Sequence, residues 1–281
     1  MKRSAFSAGL LAAALLLSGC PRGAEPVTAD PTETVTAAEP ETTAPAPVDR
    51  TGEAVYRAHP ALTPVDYDSP ALLPRSKDAG QAYIDKLTFL CDSPTYWLKL
   101  YELLTDGYAT TQVWTGPTGT MTLAYLLDFR MLDPVDNVER TIPETVKKHK
   151  PPFIVIALGV NGVAFMDREY FTAEYANLIE EIRSASPETE ILLQSIYPVT
   201  AAYDSRGSIT NEMITAANSW ILRLAETYDL HYFDAFSCLL GEDGNADPAL
   251  IQSDGLHPNK AGLTKVLKYL RTHAYTPDPA Q

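Results

Sequence analysis

The chain has 281 residues, 45% of them hydrophobic and 21% charged, an ordinary globular composition with room for one or two domains. A formal net charge of −14 argues against nucleic acid and anionic membrane surfaces as electrostatic partners. Three cysteines, one of them in the amino-terminal leader, are too few for a disulfide framework or a cysteine-only metal site, and whether Cys91 and Cys238 pair is not readable from spacing.

Met1-Lys2-Arg3 followed by the apolar run of residues 8–17 has the form of a secretion signal too short to span a bilayer. It ends in Leu17-Ser18-Gly19-Cys20, which resembles a bacterial lipobox; that resemblance implies cleavage before Cys20, lipidation of Cys20 and a protein tethered on the outer face of the cytoplasmic membrane. Residues 20–65 are dominated by Pro, Thr, Ala and Glu with few bulky apolar side chains, the composition of a disordered tether. The folded domain is expected over 66–281.

Within it, residues 87–91 form an apolar run that Asp92-Ser93-Pro94 interrupts, and residues 95–106 carry a helical pattern: strand, tight turn, helix, with a serine on the turn. A short helix is expected over 78–85 and a brief strand over 111–114. A turn-rich loop, Gly116-Pro117-Thr118-Gly119-Thr120, leads into a helical candidate over 121–129. Residues 142–150 read as a helix stopped by Pro151-Pro152. The run 153–158 is the clearest buried strand, broken by Gly159-Val160-Asn161-Gly162. Helices over 171–186, 210–228 and 259–273 alternate with strands over 190–196 and 231–236. Helices alternating with five strands, written as apolar runs and not as period-2 patterns, predict one α/β domain, a three-layer sandwich around a parallel sheet, with ligands collecting at the carboxyl ends of the strands.

Ser93 sits where such a sheet presents a nucleophile, beside a helix amino terminus that favours negative charge. A serine needs a base, and the base needs an acceptor for its other ring nitrogen. Of five histidines, His257 lies three residues after Asp254 in Ser253-Asp254-Gly255-Leu256-His257-Pro258, close enough for one turn to join carboxylate and imidazole. The same pair could instead cap the last helix. Asn161 follows the central strand, where its amide could stabilise an oxyanion or simply serve the turn. Gly119, or less readily Gly116, could add a backbone N–H. Asp243-x-Asn245-x-Asp247 fails as a calcium loop, because Pro248 stands where glycine is required. Tyr96, Trp97 and Tyr101 share a helical face and read as packing, with Tyr96 near enough to Ser93 to border a pocket.

Cys91-Asp92-Ser93, the loop glycine, Gly159-Val160-Asn161-Gly162 and Asp254-Gly255-Leu256-His257 resemble blocks I, II, III and V of the SGNH/GDSL hydrolases, in order, over about residues 80–272. The resemblance implies a flavodoxin-like α/β/α fold and an esterase without metal or organic cofactor. It makes Ser93 the nucleophile, His257 the base and Asp254 its orienter, with an oxyanion hole from the Ser93 N–H, the Gly119 N–H and the Asn161 side chain. An extracytoplasmic member would hydrolyse short acyl groups, such as O-acetyl on cell-wall or environmental polysaccharide, and would meet the membrane only through its anchor. A lipase or thioesterase, or a non-catalytic glycan- or protein-binding module on the same fold, are the alternatives. One departure stands out: Cys91 occupies the family's glycine position, so either a distorted elbow or a second nucleophile has to be considered.

Overall fold

A computed structural model describes residues 47–277. Its centre is a parallel sheet of β1 (Leu87–Cys91), β2 (Val113–Trp114), β5 (Phe153–Ala157), β6 (Glu190–Gln194) and β7 (His231–Phe233), in the order β2-β1-β5-β6-β7. That is the flavodoxin-like order. The pleat divides each strand between two cores. Leu90, Ile154, Ile156, Ile191 and Leu193 enter one cluster, and Leu87, Phe89, Cys91, Phe153, Val155 and Leu192 enter the other. Both faces are therefore apolar, which is why these strands read as unbroken runs.

The first face is covered by α1 (Glu53–Ala58), α4 (Ile142–His149), α5 (Arg168–Ala185) and α7 (Asn211–Thr227); the second by α2 (Gln81–Ile84), α3 (Ser93–Leu100) and α9 (Lys260–Thr272). Two further short helices, α6 (Ala201–Asp204) and α8 (Ala235–Leu239), lie among the described residues. The ends of the longer helices carry the expected chemistry. Thr141 and Glu144 form a capping box at α4, Asp167 and Thr210 cap α5 and α7, and Asn259 caps α9 through the Gly262 N–H at 3.0 Å.

Several expectations change. The leader and residues 20–46 of the expected tether lie outside the described residues. Residues 47–65, however, do not belong to a disordered tether: Tyr56 and Leu62 are buried in the first core, and Tyr56 stacks on Phe236. A few apolar anchors in a Pro/Thr-rich stretch suffice, because the domain supplies the complementary surface. The packed chain thus begins before residue 66.

The helix expected over 121–129 is absent. Met121, Leu123, Ala124 and Leu126 are buried through successive turns, and Tyr125 adopts φ +60, so tertiary burial overrides a helical pattern. The candidate over 95–106 starts at Ser93 and stops early, because Glu102 enters the left-handed region (φ +55) and the Leu103 N–H reaches back to the Leu98 carbonyl at 3.0 Å. The last strand candidate ends at Phe233, and Phe236 belongs to α8.

An unforeseen antiparallel ribbon joins β3 (Arg130–Leu132) to β4 (Glu139–Thr141). It is tied down by the buried Asp133 carboxylate, which accepts hydrogen bonds from Arg140 (2.8 Å), Lys148 (3.0 Å) and His149 (2.7 Å). Burial pushes the Asp133 pKa up, but the hydrogen bonds from His149, the Val135 N–H and Lys148 hold it down at about 2.

Candidate active site

The site is built at the carboxyl ends of β1 and β5 and on the loop before α9. Asp92 turns the chain out of β1 in an extended conformation (φ −88, ψ −172), and Ser93 opens α3 with Pro94 behind it. The Ser93 N–H, at the first helical position, has no acceptor within the helix.

Asp92 caps nothing with its side chain. Its buried carboxylate crosses to the end of β5, where one oxygen accepts the N–H groups of Gly159 and Val160, both at 3.1 Å. Burial pushes its pKa up to about 7, and these N–H bonds only limit the rise. The nucleophile turn and the turn bearing Asn161 are thus fastened to each other. Sequence reasoning passed over Asp92, although its place between a buried strand and the serine was a usable signal.

Cys91 answers the question raised by the missing glycine. It pairs with Ala157 in the sheet and does not have a positive φ, so a side chain at this position strains nothing. Its thiol is fully buried, with a pKa raised well above the ordinary value by burial and then by the Asp92 charge, the opposite of an activated thiolate. Cys91 and Cys238 are both free. Cys91→Gly is expected to cost about 1–3 kcal/mol of stability through the lost side chain and a looser strand, while leaving specific activity nearly unchanged below the melting transition. Chemical denaturation beside an ester assay checks both halves.

Ser93, His257 and Asp254, distant in sequence, form one hydrogen-bonded line. His257 Nε2 lies 2.9 Å from Ser93 Oγ, and His257 Nδ1 lies 2.6 Å from Asp254 Oδ2. With a carboxylate on Nδ1, the neutral ring carries its proton there and offers the Nε2 lone pair to the serine hydroxyl. The other Asp254 oxygen accepts the N–H groups of Leu256 (2.8 Å) and His257 (3.0 Å), which locks the loop. Burial raises the Asp254 pKa, but the hydrogen bond with the His257 ring, and after it these N–H bonds, outweigh burial and the net shift is downward. The capping alternative is excluded, since Asn259 and not Asp254 caps α9. Trp97, expected to serve packing alone, sets its ring 6.2 Å from the His257 ring, and Tyr101 packs behind Trp97 at 5.1 Å.

The expected oxyanion donors are differently placed. Asn161 does stand at the end of β5, but its amide nitrogen donates to Thr120 Oγ1 at 3.0 Å and to the Met121 carbonyl at 2.9 Å, which uses both of its hydrogens. The Gly119 N–H donates to the Gly116 carbonyl at 2.9 Å and closes a turn. Neither donor is free in this arrangement. Of the three expected donors, only the Ser93 N–H is without an acceptor inside its own element. Gly119 is nonetheless required as glycine: its φ is +77, and a Cβ there would stand 2.4 Å from the Tyr96 ring. Thr120 was not singled out from the sequence. Among the described residues, no group of three or more His, Cys, Asp or Glu side chains is arranged to hold a metal ion.

Solved structures share this architecture. A candidate platelet activating factor from Streptococcus pneumonia superposes with a TM-score of 0.51 at 20% identity, covering 80% of this chain and 91% of its own. A candidate acylhydrolase from Bacteroides fragilis gives 0.50 at 17% identity, covering 70% and 88%. An acetylxylan esterase from Geobacillus stearothermophilus gives 0.46 at 16%, covering 71% and 98%. At identities this low the first two speak to the fold alone. No curated protein matches the sequence. A family model does, over residues 93–264, a span that runs from the serine through the Asp254–His257 loop into α9. With more than half of its length matched, the chain belongs to the GDSL-like lipase/acylhydrolase family.

Proposed function

We propose that the chain is a serine esterase in which Ser93 is the nucleophile, His257 the general base and Asp254 its orienter. The observation that carries this reading is the continuous line Ser93 Oγ–His257 Nε2, His257 Nδ1–Asp254 Oδ2 at 2.9 and 2.6 Å. Ser93 Oγ attacks the ester carbonyl carbon while Nε2 takes its proton, and the carbonyl electron pair moves onto oxygen. Collapse of the tetrahedral adduct breaks the bond to the alcohol oxygen, which leaves with the proton from Nε2. Water, deprotonated by the same nitrogen, then attacks the acyl-serine; the bond from the acyl carbon to Ser93 Oγ breaks, Oγ recovers the proton from Nε2, and the acid is freed.

The substrate we infer is a short acyl ester, O-acetyl on a carbohydrate polymer, and the place is outside the cytoplasmic membrane on a lipidated Cys20. The leader, the lipobox-like Leu17-Ser18-Gly19-Cys20 and the Pro/Thr-rich stretch after it support a tethered enzyme reaching a fixed polymer. The engaged state of Asn161 and Gly119 is the observation that favours the non-catalytic alternative.

Fluorophosphonate labelling decides between them. An adduct on Ser93, with acetate released faster than longer acids from a graded ester series and from an acetylated polysaccharide, supports the proposal. Absence of any adduct on folded protein overturns it, and rates that climb with chain length replace the acetyl preference by a lipase. For the anchor, Cys20→Ala is expected to abolish incorporation of labelled fatty acid and to move the protein from the membrane to the soluble fraction of its host. Unchanged partitioning would refute the anchor.

A further inference from the structure

From the two bonds that hold the Asn161 amide we infer that Thr120 is a positioning residue which keeps the oxyanion hole closed until substrate arrives. The inference rests on the esterase reading and adds to it.

The Met121 carbonyl can only accept, so the group 2.9 Å from it is the amide nitrogen of Asn161 and not its oxygen. That nitrogen carries two hydrogens. Met121 takes one and Thr120 Oγ1 takes the other at 3.0 Å. For Asn161 to donate to a developing oxyanion, one of these bonds has to break. The two are not equal. The Met121 acceptor is main chain, in a segment anchored by the buried Met121 and Leu123 side chains. The Thr120 acceptor is a hydroxyl on a half-buried side chain at the end of an exposed turn, and a rotation about one bond removes it. Thr120 is therefore the releasable partner. Met121, retaining the second hydrogen, keeps the amide plane fixed while the first turns to the substrate oxygen.

The same segment holds the other donor, because the Gly119 N–H closes the turn onto Gly116. Withdrawal of the Thr120 hydroxyl frees the Asn161 hydrogen, and opening of the adjoining turn between Gly116 and Gly119 frees the Gly119 N–H, while the Ser93–His257–Asp254 line, which makes no hydrogen bond to this segment, stays assembled. Tyr96 lies against Gly119, so a group entering beside Ser93 presses on the element that has to move. Acceleration then comes with occupancy of the site, a form of gating by substrate.

Thr120→Val keeps the shape and removes the acceptor. Because one neutral hydrogen bond no longer has to be broken on the way to the transition state, kcat on a short-chain ester is expected to rise about three- to tenfold with KM little changed. Fluorophosphonate labelling of Ser93 should quicken by a similar factor. The gain must depend on Asn161: in an Asn161→Ala background, Thr120→Val should change neither rate. Thr227→Val, the same replacement on an exposed side chain at the carboxyl end of α7, serves as the control with wild-type rates. A Thr120→Val protein that melts like wild type but is no faster, or slower, overturns the inference while leaving the esterase reading intact. So does a gain that persists without Asn161. If neither wild type nor Thr120→Val labels or hydrolyses any ester, the esterase reading falls and the inference falls with it.

Discussion

Ser93→Ala and His257→Ala are each expected to lower kcat/KM by about 10⁴- to 10⁶-fold, with the double variant scarcely worse than either single one. On the proposed mechanism the two side chains, 2.9 Å apart, act as a unit, and removing either ends covalent catalysis. Asp254→Asn should cost about 10⁴-fold by another route. An amide opposite Nδ1 no longer requires the proton to sit on that nitrogen, so Nε2 loses its standing as the acceptor for the serine hydroxyl. Its effect also separates mechanism from folding. Asp254 fixes its own loop through the N–H groups of Leu256 and His257, and the asparagine oxygen can keep those bonds. Melting temperature should therefore hardly move while activity collapses. An ester assay beside thermal denaturation of all four proteins checks this, and additive losses in the Ser93/His257 pair would refute a shared step.

Asp92 governs the second large effect, on stability. Asp92→Ala strands two buried N–H groups, those of Gly159 and Val160, at about 1–3 kcal/mol each, and releases the turn that carries Asn161. A loss of several kcal/mol is expected, with activity falling as well. Asp92→Asn keeps an acceptor and discards the charge, so the two variants should part company.

The pH dependence follows from the sign of the shift. The folded-state pKa of Asp92 is raised to about 7 from 3.8. Its contribution to stability is thus fully present below about pH 4 and is lost as pH rises toward 7, on the order of 4 kcal/mol over that span. Asp234, buried at the start of α8, has a pKa raised to about 6 by burial and titrates in the same window. The informative quantity is consequently the difference between proteins. Urea midpoints of wild type and Asp92→Asn, compared at pH 4.5 and 7.5, should show the variant gaining relative to wild type at the higher pH. Parallel lines would mean that Asp92 carries no titration of this kind.

Asp92 and Thr120 share a feature that explains why neither stood out in the sequence. Each acts on a segment far away in the chain: Asp92 on residues 159–160, Thr120 on Asn161. Ser93, Asp254 and His257 were legible because two of them lie three residues apart in one turn and the third breaks an apolar strand with Asp92 and Pro94, local patterns with local causes. Trp97 shows the limit from another side. Its helical spacing with Tyr101 reads as packing, and it does pack, but against the imidazole.

The strands and the long helices were set by the sequence itself. An apolar run such as Phe153–Ala157 has nowhere to go but a sheet covered on both faces, and side chains such as Asn259 and Thr141 end a helix wherever the helix lies. What only the tertiary structure decided were the segments whose local preference is weak beside the burial they gain. Residues 53–62 join the core instead of the tether, 121–129 give up helix for buried turns, and the 130–141 ribbon forms around the buried charge of Asp133. The state of the expected oxyanion donors belongs to this second group. Which acceptor holds the Asn161 amide depends on where a loop some 40 residues earlier comes to rest, and that position is settled by packing against Tyr96 and the core.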